Sequence, residues 1–399
     1  MSNEGAQLTR IICRPKMTSL RPLRRFGEGY RRVEHWIRLN IEIACEFIVH
    51  NMKYQLICSS LSLLRSTAAA AAFILAGAST TLATPVLEPT TQKFIDGLAG
   101  STPIYKLSPE AARMVLDNLQ SGPVALPNAS VEDLTLPVGP NGQTRIQVIR
   151  PEGAVGPLPA IVYFHGGGWI LGDTTTHARL VRQLAVGANA VVIFVDYDRS
   201  PEVHYPVAIE ENYAVTKYVS EHPADFNVDA SRLAIGGDSV GGNMTAVVSL
   251  LAKEQNGPAI AVQLLFYPVT DATMDDGSYN AFANGPWLTK PEMAWFWNAY
   301  LPDANARKDI HVSPLNASIE QLRGLPTALV ITDENDVLRD EGEAYARKLI
   351  EAGVTVTATR YIATIHDFVM LNALADTPAA KAAIAQATDF LRSALTSAK

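Results

Sequence analysis

Cysteine is scarce: the 399 residues hold three, Cys13, Cys45 and Cys58, and none follows position 58. From residue 84 onward there is no thiol, no disulfide and no cysteine-based metal site, so a nucleophile there must be Ser, Thr, Asp, Glu, Lys or Tyr. Basic charge is short as well, with 33 Lys and Arg against 40 Asp and Glu, which leaves no positive field for nucleic acid. Charged residues are 18% of the chain and hydrophobic ones 48%, a balance that excludes intrinsic disorder and predicts a large globular core. The chain also lacks a P-loop, a dinucleotide glycine fingerprint after its first strand and an H-E-x-x-H pair, so neither cofactor nor metal is expected.

The charge that is present is unevenly placed. Residues 1–83 hold 11 of the basic and 5 of the acidic side chains, so a basic start is joined to a strongly acidic remainder. From Met52, Lys53 and Arg65 flank a polar stretch, an apolar run begins at Ala68, and Thr81-Leu-Ala83 supplies small residues. That is the order of a secretory signal peptide, and its apolar core falls short of the roughly 20 residues that span a bilayer. Residues 52–83 are therefore expected to be removed near Ala83, leaving a periplasmic or secreted product without a stable membrane anchor. Residues 1–51 are then an over-extended start or a disordered leader, and 84–399 one domain.

Within that domain, Phe94, Leu98, Ala112, Val115, Leu116 and Leu119 have helical spacing over 91–120, with Ser108-Pro-Glu-Ala as a capped helix start. A Pro/Gly/Asn stretch at 122–128 separates this helical prelude from the remainder of the domain. Short apolar runs then alternate with helical stretches, the signature of parallel strands joined by crossover helices. Strands are predicted at 144–150, 160–164, 190–196, 232–236, 261–267, 328–332 and 355–361. Helices are predicted at 176–187, 207–222, 241–255, 341–352 and 379–395. The fold class is α/β, a mostly parallel sheet flanked by helices, and such sheets carry their chemistry at the carboxyl ends of the strands.

Gly237-Asp238-Ser239-Val240-Gly241 follows the run Leu233-Ala-Ile-Gly and opens a predicted helix. This is the setting of a strand-to-helix nucleophile turn, tight enough to need glycine on both sides of the serine. Upstream, Ala160-Ile-Val-Tyr-Phe runs into His165-Gly166-Gly167-Gly168-Trp169, and a glycine triplet leaves backbone N–H groups free to bind an oxyanion. A serine nucleophile needs an imidazole to take its proton and a carboxylate to orient that imidazole. Of His165, His177, His204, His222, His311 and His366, only His366 follows a strand-like run near the C-terminus. His165 is placed to hold the shape of the glycine loop, and the other four read as surface or loop residues. The acid lies among Asp333, Glu334, Asp336, Asp340 and Glu341, any of which could reach.

These motifs resemble the hormone-sensitive-lipase-like branch of the α/β-hydrolases, which includes many bacterial carboxylesterases and acetyl esterases. The resemblance covers nearly all of 90–396 and rests on the two glycine motifs, Asp196-Tyr with Ser200-Pro-Glu, Tyr267-Pro, Asp336-Val-Leu-Arg-Asp-Glu-Gly342 and Ile365-His-Asp-Phe368. It implies a capped α/β-hydrolase fold and a small-molecule ester substrate, with Ser239, Asp336 and His366 as the triad and Asp333 the alternative acid. Oxyanion donors are then the N–H groups of Gly167, Gly168 and Val240, with Gly166 the alternative. Asp238 braces the glycine loop or faces solvent, and Trp169 and Phe368 are candidate pocket residues.

Three departures from the branch stand out. Arg199 is displaced by one position, Val240 stands where alanine is usual, and Asp367 puts a second carboxylate beside His366, where it is expected to raise the imidazole pKa. Residues 272–305, with Trp287, Met293, Trp295, Phe296, Trp297 and Tyr300, interrupt the alternation. Together with 91–120 they are expected to form a helical cap that favours short to medium acyl chains. Met293, Trp297 and Tyr300 share one helical face and read as packing residues. The same triad would also serve a peptidase or an acyltransferase, and the fold without catalysis would serve ligand binding; the occupied triad positions favour catalysis.

Overall fold

The computed structural model describes residues 85–397; the expected signal peptide at 52–83 and the leader at 1–51 lie outside the described residues. Two helices come first, α1 (Pro89–Gly97) and α2 (Pro109–Gln120). Each carries proline in its first turn, where the missing N–H costs nothing, and the predicted cap of α2 is formed: Ser108 Oγ accepts from the Ala111 N–H at 3.2 Å. The sheet begins with β1 (Ala129–Leu136), β2 (Thr144–Pro151) and β3 (Leu158–Phe164), then α3 (Ala178–Ala188), β4 (Val191–Asp196) and α4 (Val207–Glu221). After these come β5 (Val228–Asp238), α5 (Val240–Glu254), β6 (Val262–Phe266), α6 (Gly277–Ala281), α7 (Lys290–Tyr300) and α8 (Ile319–Leu322). The chain closes with β7 (Thr327–Asn335), α9 (Arg339–Glu351), β8 (Val356–Ile365) and α10 (Pro378–Ser397).

The eight strands form one sheet in the order β1-β2-β4-β3-β5-β6-β7-β8. β1 and β2, and β2 and β4, pair antiparallel; from β4 to β8 every neighbour is parallel. Every residue of β3 and β6 is buried, because helices cover both faces of a parallel sheet and leave no polar side for alternation. All seven predicted strands are present. The sequence pattern gives no sign of β1, whose residues Ser130, Val131, Glu132 and Asp133 face solvent. An edge strand needs no apolar run, and its charges discourage pairing with another chain.

The site is positioned by the strand order. β3 lies between β4 and β5, so the chain leaves β3 toward one side and returns to its other side, and a crevice opens at the carboxyl end of β3. Phe164 is in register with Gly237, which sets the loop after β3 beside the turn after β5. Asn335 pairs with Ile365, which sets Asp336 beside His366. Ser239, Asp336 and His366 are each the first residue beyond the carboxyl end of a strand.

Candidate active site

Ser239 has φ 56° and ψ −119°, a strained backbone that holds a side chain out at a strand-to-helix turn. Glycine is required around it because there is no room for more: a Cβ on Gly237 would strike Gly241 and the Phe164 carbonyl, and one on Gly241 would strike that same carbonyl. Ser239 Oγ lies 2.9 Å from His366 Nε2, and His366 Nδ1 lies 2.8 Å from Asp336 Oδ2. The other oxygen of Asp336 accepts the Leu338 N–H at 3.0 Å. All three side chains are buried.

Asp333, the alternative acid, is fully buried, yet neither of its oxygens has a hydrogen-bond partner. Burial, then the charges of Asp336 and Asp367, push its pKa well above the carboxylate range, and no hydrogen bond ties it to His366. Asp333, Asp336 and His366 each bring one ligand atom into a cluster 4.8 Å across. Two of those side chains, Asp336 and His366, are already hydrogen-bonded to each other.

Burial disfavours the His366 imidazolium, but Asp336 and then Asp367 outweigh it and raise its pKa to about 9. The second carboxylate therefore acts in the expected direction. Asp367 Oδ1 is 3.5 Å from His366 Nε2, and Asp367 Oδ2 accepts the indole N–H of Trp287 at 3.0 Å. Trp287 in turn packs on Phe94, ring centres 5.4 Å apart, so the two segments expected to form the cap meet at this carboxylate's partner.

The glycine loop is held from several sides. Gly167 has φ 104° and Gly168 φ 63°, conformations that a side chain would strain, and a Cβ on Gly168 would run into the ring of Phe296 on α7. Among the described residues, the N–H groups of Gly167, Gly168 and Val240 donate to no protein acceptor. The Gly166 N–H is already taken by Asp238 Oδ1 at 3.1 Å, which removes it as the alternative oxyanion donor. Asp238 thus braces the loop and does not face solvent. Arg199, despite its displacement, donates to the Gly172 carbonyl at 2.6 Å. His165 Nδ1 lies 2.8 Å from the Gly166 carbonyl, and its ring stacks on Tyr197 at 4.1 Å. Burial and the nearby His177 lower the His165 pKa to about 3, so it stays neutral.

Three sequence-based expectations are corrected. Trp169 is fully buried and stacks on Tyr300, ring centres 4.0 Å apart, so it packs beneath the loop rather than lining a pocket. Phe368 is likewise buried, against Tyr361 and Tyr267. His177, read as a surface or loop residue, is wholly buried with Nε2 3.2 Å from Asp238 Oδ2; a partner 61 residues downstream leaves no local signal. Met293, Trp297 and Tyr300 are buried, in line with their reading as packing residues. The contacts of Phe296 and Trp287 with the site carry no sequence signal beyond their place in the aromatic insertion at 272–305.

Residues 161–370 match the family model of the alpha/beta hydrolase fold. The chain belongs to the α/β-hydrolases. The motifs place this hydrolase in the hormone-sensitive-lipase-like branch. It is 38% identical over 292 residues to the carboxylesterase NlhH of Mycobacterium tuberculosis, covering 72% of this chain and 89% of that protein. It is 39% identical over 284 residues to the carboxylic ester hydrolase LipN of the same organism, covering 69% of this chain and 73% of that one. Among solved structures, a thermostable esterase from Pseudomonas putida superposes with a TM-score of 0.77 at 52% identity, over 78% of the hydrolase and 98% of that esterase. Among the described residues no helix is long and apolar enough to cross a membrane.

Proposed function

We propose that the protein is a serine carboxylesterase that hydrolyses esters of short to medium acyl chains through an acyl-enzyme. The observation behind this reading is the unbroken line from Ser239 Oγ through His366 to Asp336, with contacts of 2.9 and 2.8 Å. Names such as carboxylesterase and esterase among its relatives agree with it. Ser239 Oγ attacks the ester carbonyl while its proton passes to His366 Nε2, and the negative charge of Asp336 stabilises the imidazolium that forms. The carbonyl oxygen becomes an oxyanion, which the N–H groups of Gly167, Gly168 and Val240 receive; a single such donor is worth about 10^2 to 10^3 in rate. His366 then gives its proton to the leaving alcohol, and water repeats the sequence on the acyl-enzyme.

The acyl-chain preference rests on Phe296, whose ring packs directly against Gly168, and on the branched side chain of Val240, both of which reduce the room beside the loop. The test is a ladder of nitrophenyl esters from acetyl upward, assayed with the purified protein and with Ser239→Ala. Loss of several orders of magnitude in the variant, with an optimum among the shorter chains, supports the reading; equal activity in the two proteins contradicts it. Export after cleavage near Ala83 is part of the proposal. N-terminal sequencing of the protein recovered outside the cytoplasm, reading from Thr84, supports it, and a mature protein that begins at Ser2 contradicts it.

A further inference from the structure

Directly behind the nucleophile lies a buried polar group that the triad does not use. Asp238 is fully buried and accepts three hydrogen bonds: from the Tyr163 hydroxyl at 2.7 Å, from the Gly166 N–H at 3.1 Å and from His177 Nε2 at 3.2 Å. It therefore ties the glycine loop to the residue preceding Ser239. A buried carboxylate keeps its charge through hydrogen bonds donated to it and through an opposite charge nearby, and His177 is the group in contact that can supply that charge. On the far side of that ring His177 Nδ1 is 2.9 Å from Thr176 Oγ1, which also accepts the Asp173 N–H at 2.9 Å and can give its own proton to the Asp173 carbonyl at 3.0 Å. In that arrangement Nδ1 donates to Thr176 while Nε2 donates to Asp238, and an imidazole that donates from both nitrogens is an imidazolium.

We propose that His177, as an imidazolium paired with Asp238, is a positioning residue that locks the oxyanion loop against the nucleophile turn. The proposal rests on the esterase reading, because it acts through the Gly167 and Gly168 donors. The charges around the ring agree with it: burial opposes the cation, but Asp238, Asp367 and Asp173 together hold the His177 pKa above its ordinary value. Burial also opposes the Asp238 anion, and His177 and then Tyr163 overcome it and hold the carboxyl below its ordinary value. His165, 5.5 Å away ring to ring, remains neutral, so of this pair His177 bears the charge.

The experiment compares the full chain with His177→Phe and His177→Gln, using a nitrophenyl ester for kcat and KM, with kcat taken per titrated active site. A trifluoromethyl ketone, which adds to the serine and forms an oxyanion, reports on the loop directly. The expected result for His177→Phe is a fall in kcat of about 100-fold, a matching loss of affinity for the ketone, and a KM within about 3-fold of wild type, since the loop acts on the transition state. The glutamine variant, which keeps a donor but no charge, falls between. Wild-type kcat and ketone affinity in both variants would overturn the proposal while leaving the triad intact. Activity surviving in Ser239→Ala would instead remove the esterase reading beneath it. Should both His177 variants fail to fold, nitrogen-15 NMR of histidine-labelled wild-type protein decides: a His177 ring protonated at both nitrogens supports the proposal, and a neutral ring overturns it.

Discussion

Replacing Asp367 with asparagine removes one negative charge beside the proposed general base and leaves the rest of the triad in place. The amide can still accept the Trp287 N–H that Asp367 accepts at 3.0 Å, so the change is chiefly electrostatic. With Asp367 Oδ1 3.5 Å from His366 Nε2, Coulomb's law gives about 1.2 kcal/mol at a dielectric of about 80 and about 4.7 kcal/mol at about 20. Since 1.36 kcal/mol corresponds to about one pKa unit, the imidazolium should lose at least about one unit. The sign is fixed by the mechanism: only neutral His366 can accept the Ser239 proton, so kcat/KM rises as pH passes through the His366 pKa. With the His366 pKa raised to about 9, that rise should be centred there in the native protein and should move to lower pH in Asp367→Asn. The assay is kcat/KM for a nitrophenyl acetate-type ester from pH 5 to 10, corrected for spontaneous hydrolysis. An unmoved or upward-moved limb would refute the argument.

The same geometry sets three further outcomes. Asp336→Asn should lower kcat by about 10^4 through loss of the carboxylate that orients and charges His366, whereas Asp333→Asn, at a carboxyl that makes no hydrogen bond, should leave kcat within about 3-fold; steady-state kinetics on both variants checks the assignment. Gly168→Ala sets a methyl against the Phe296 ring at a φ of 63°, so it should cost at least about 1 kcal/mol of stability and depress kcat more than it raises KM, as read by denaturant unfolding and kinetics. Phe296→Ala should shift the preferred acyl chain toward longer esters and destabilise the fold by about 3 kcal/mol or more, measured on the ester ladder and by urea titration.

The parts of this architecture that were legible in the sequence are those whose cause is local. Glycines around Ser239 reflect a turn with no room for a Cβ, and the apolar runs of β3 to β7 reflect strands buried on both faces. The strand ends then singled out His366 and a cluster of five carboxylates, from which the resemblance to the hydrolase branch picked Asp336. What escaped was set by partners distant in the chain. β1 carries Glu132 and Asp133 at a solvent-facing edge and so offers no apolar run. His177 sits among polar neighbours and is buried by distant ones, Asp238 at the end of β5, Phe194 of β4 and His165 of the glycine loop. Asp333 and Asp336 are three residues apart at one strand end, and their opposite fates come from which carboxylate meets His366, a matter of side-chain direction that spacing does not encode. Trp169 and Phe368 follow the motifs in sequence, but their rings turn into the core.

The most direct test of the central claim is covalent labelling. The purified protein is treated with an ethyl fluorophosphonate, which phosphonylates an activated serine with loss of fluoride, and the adduct is located by peptide mass spectrometry. A single adduct on Ser239, absent from Ser239→Ala and strongly slowed in His366→Ala, is the result the account predicts. An adduct on another residue, or ester hydrolysis that continues while Ser239 stays unlabelled, would contradict it.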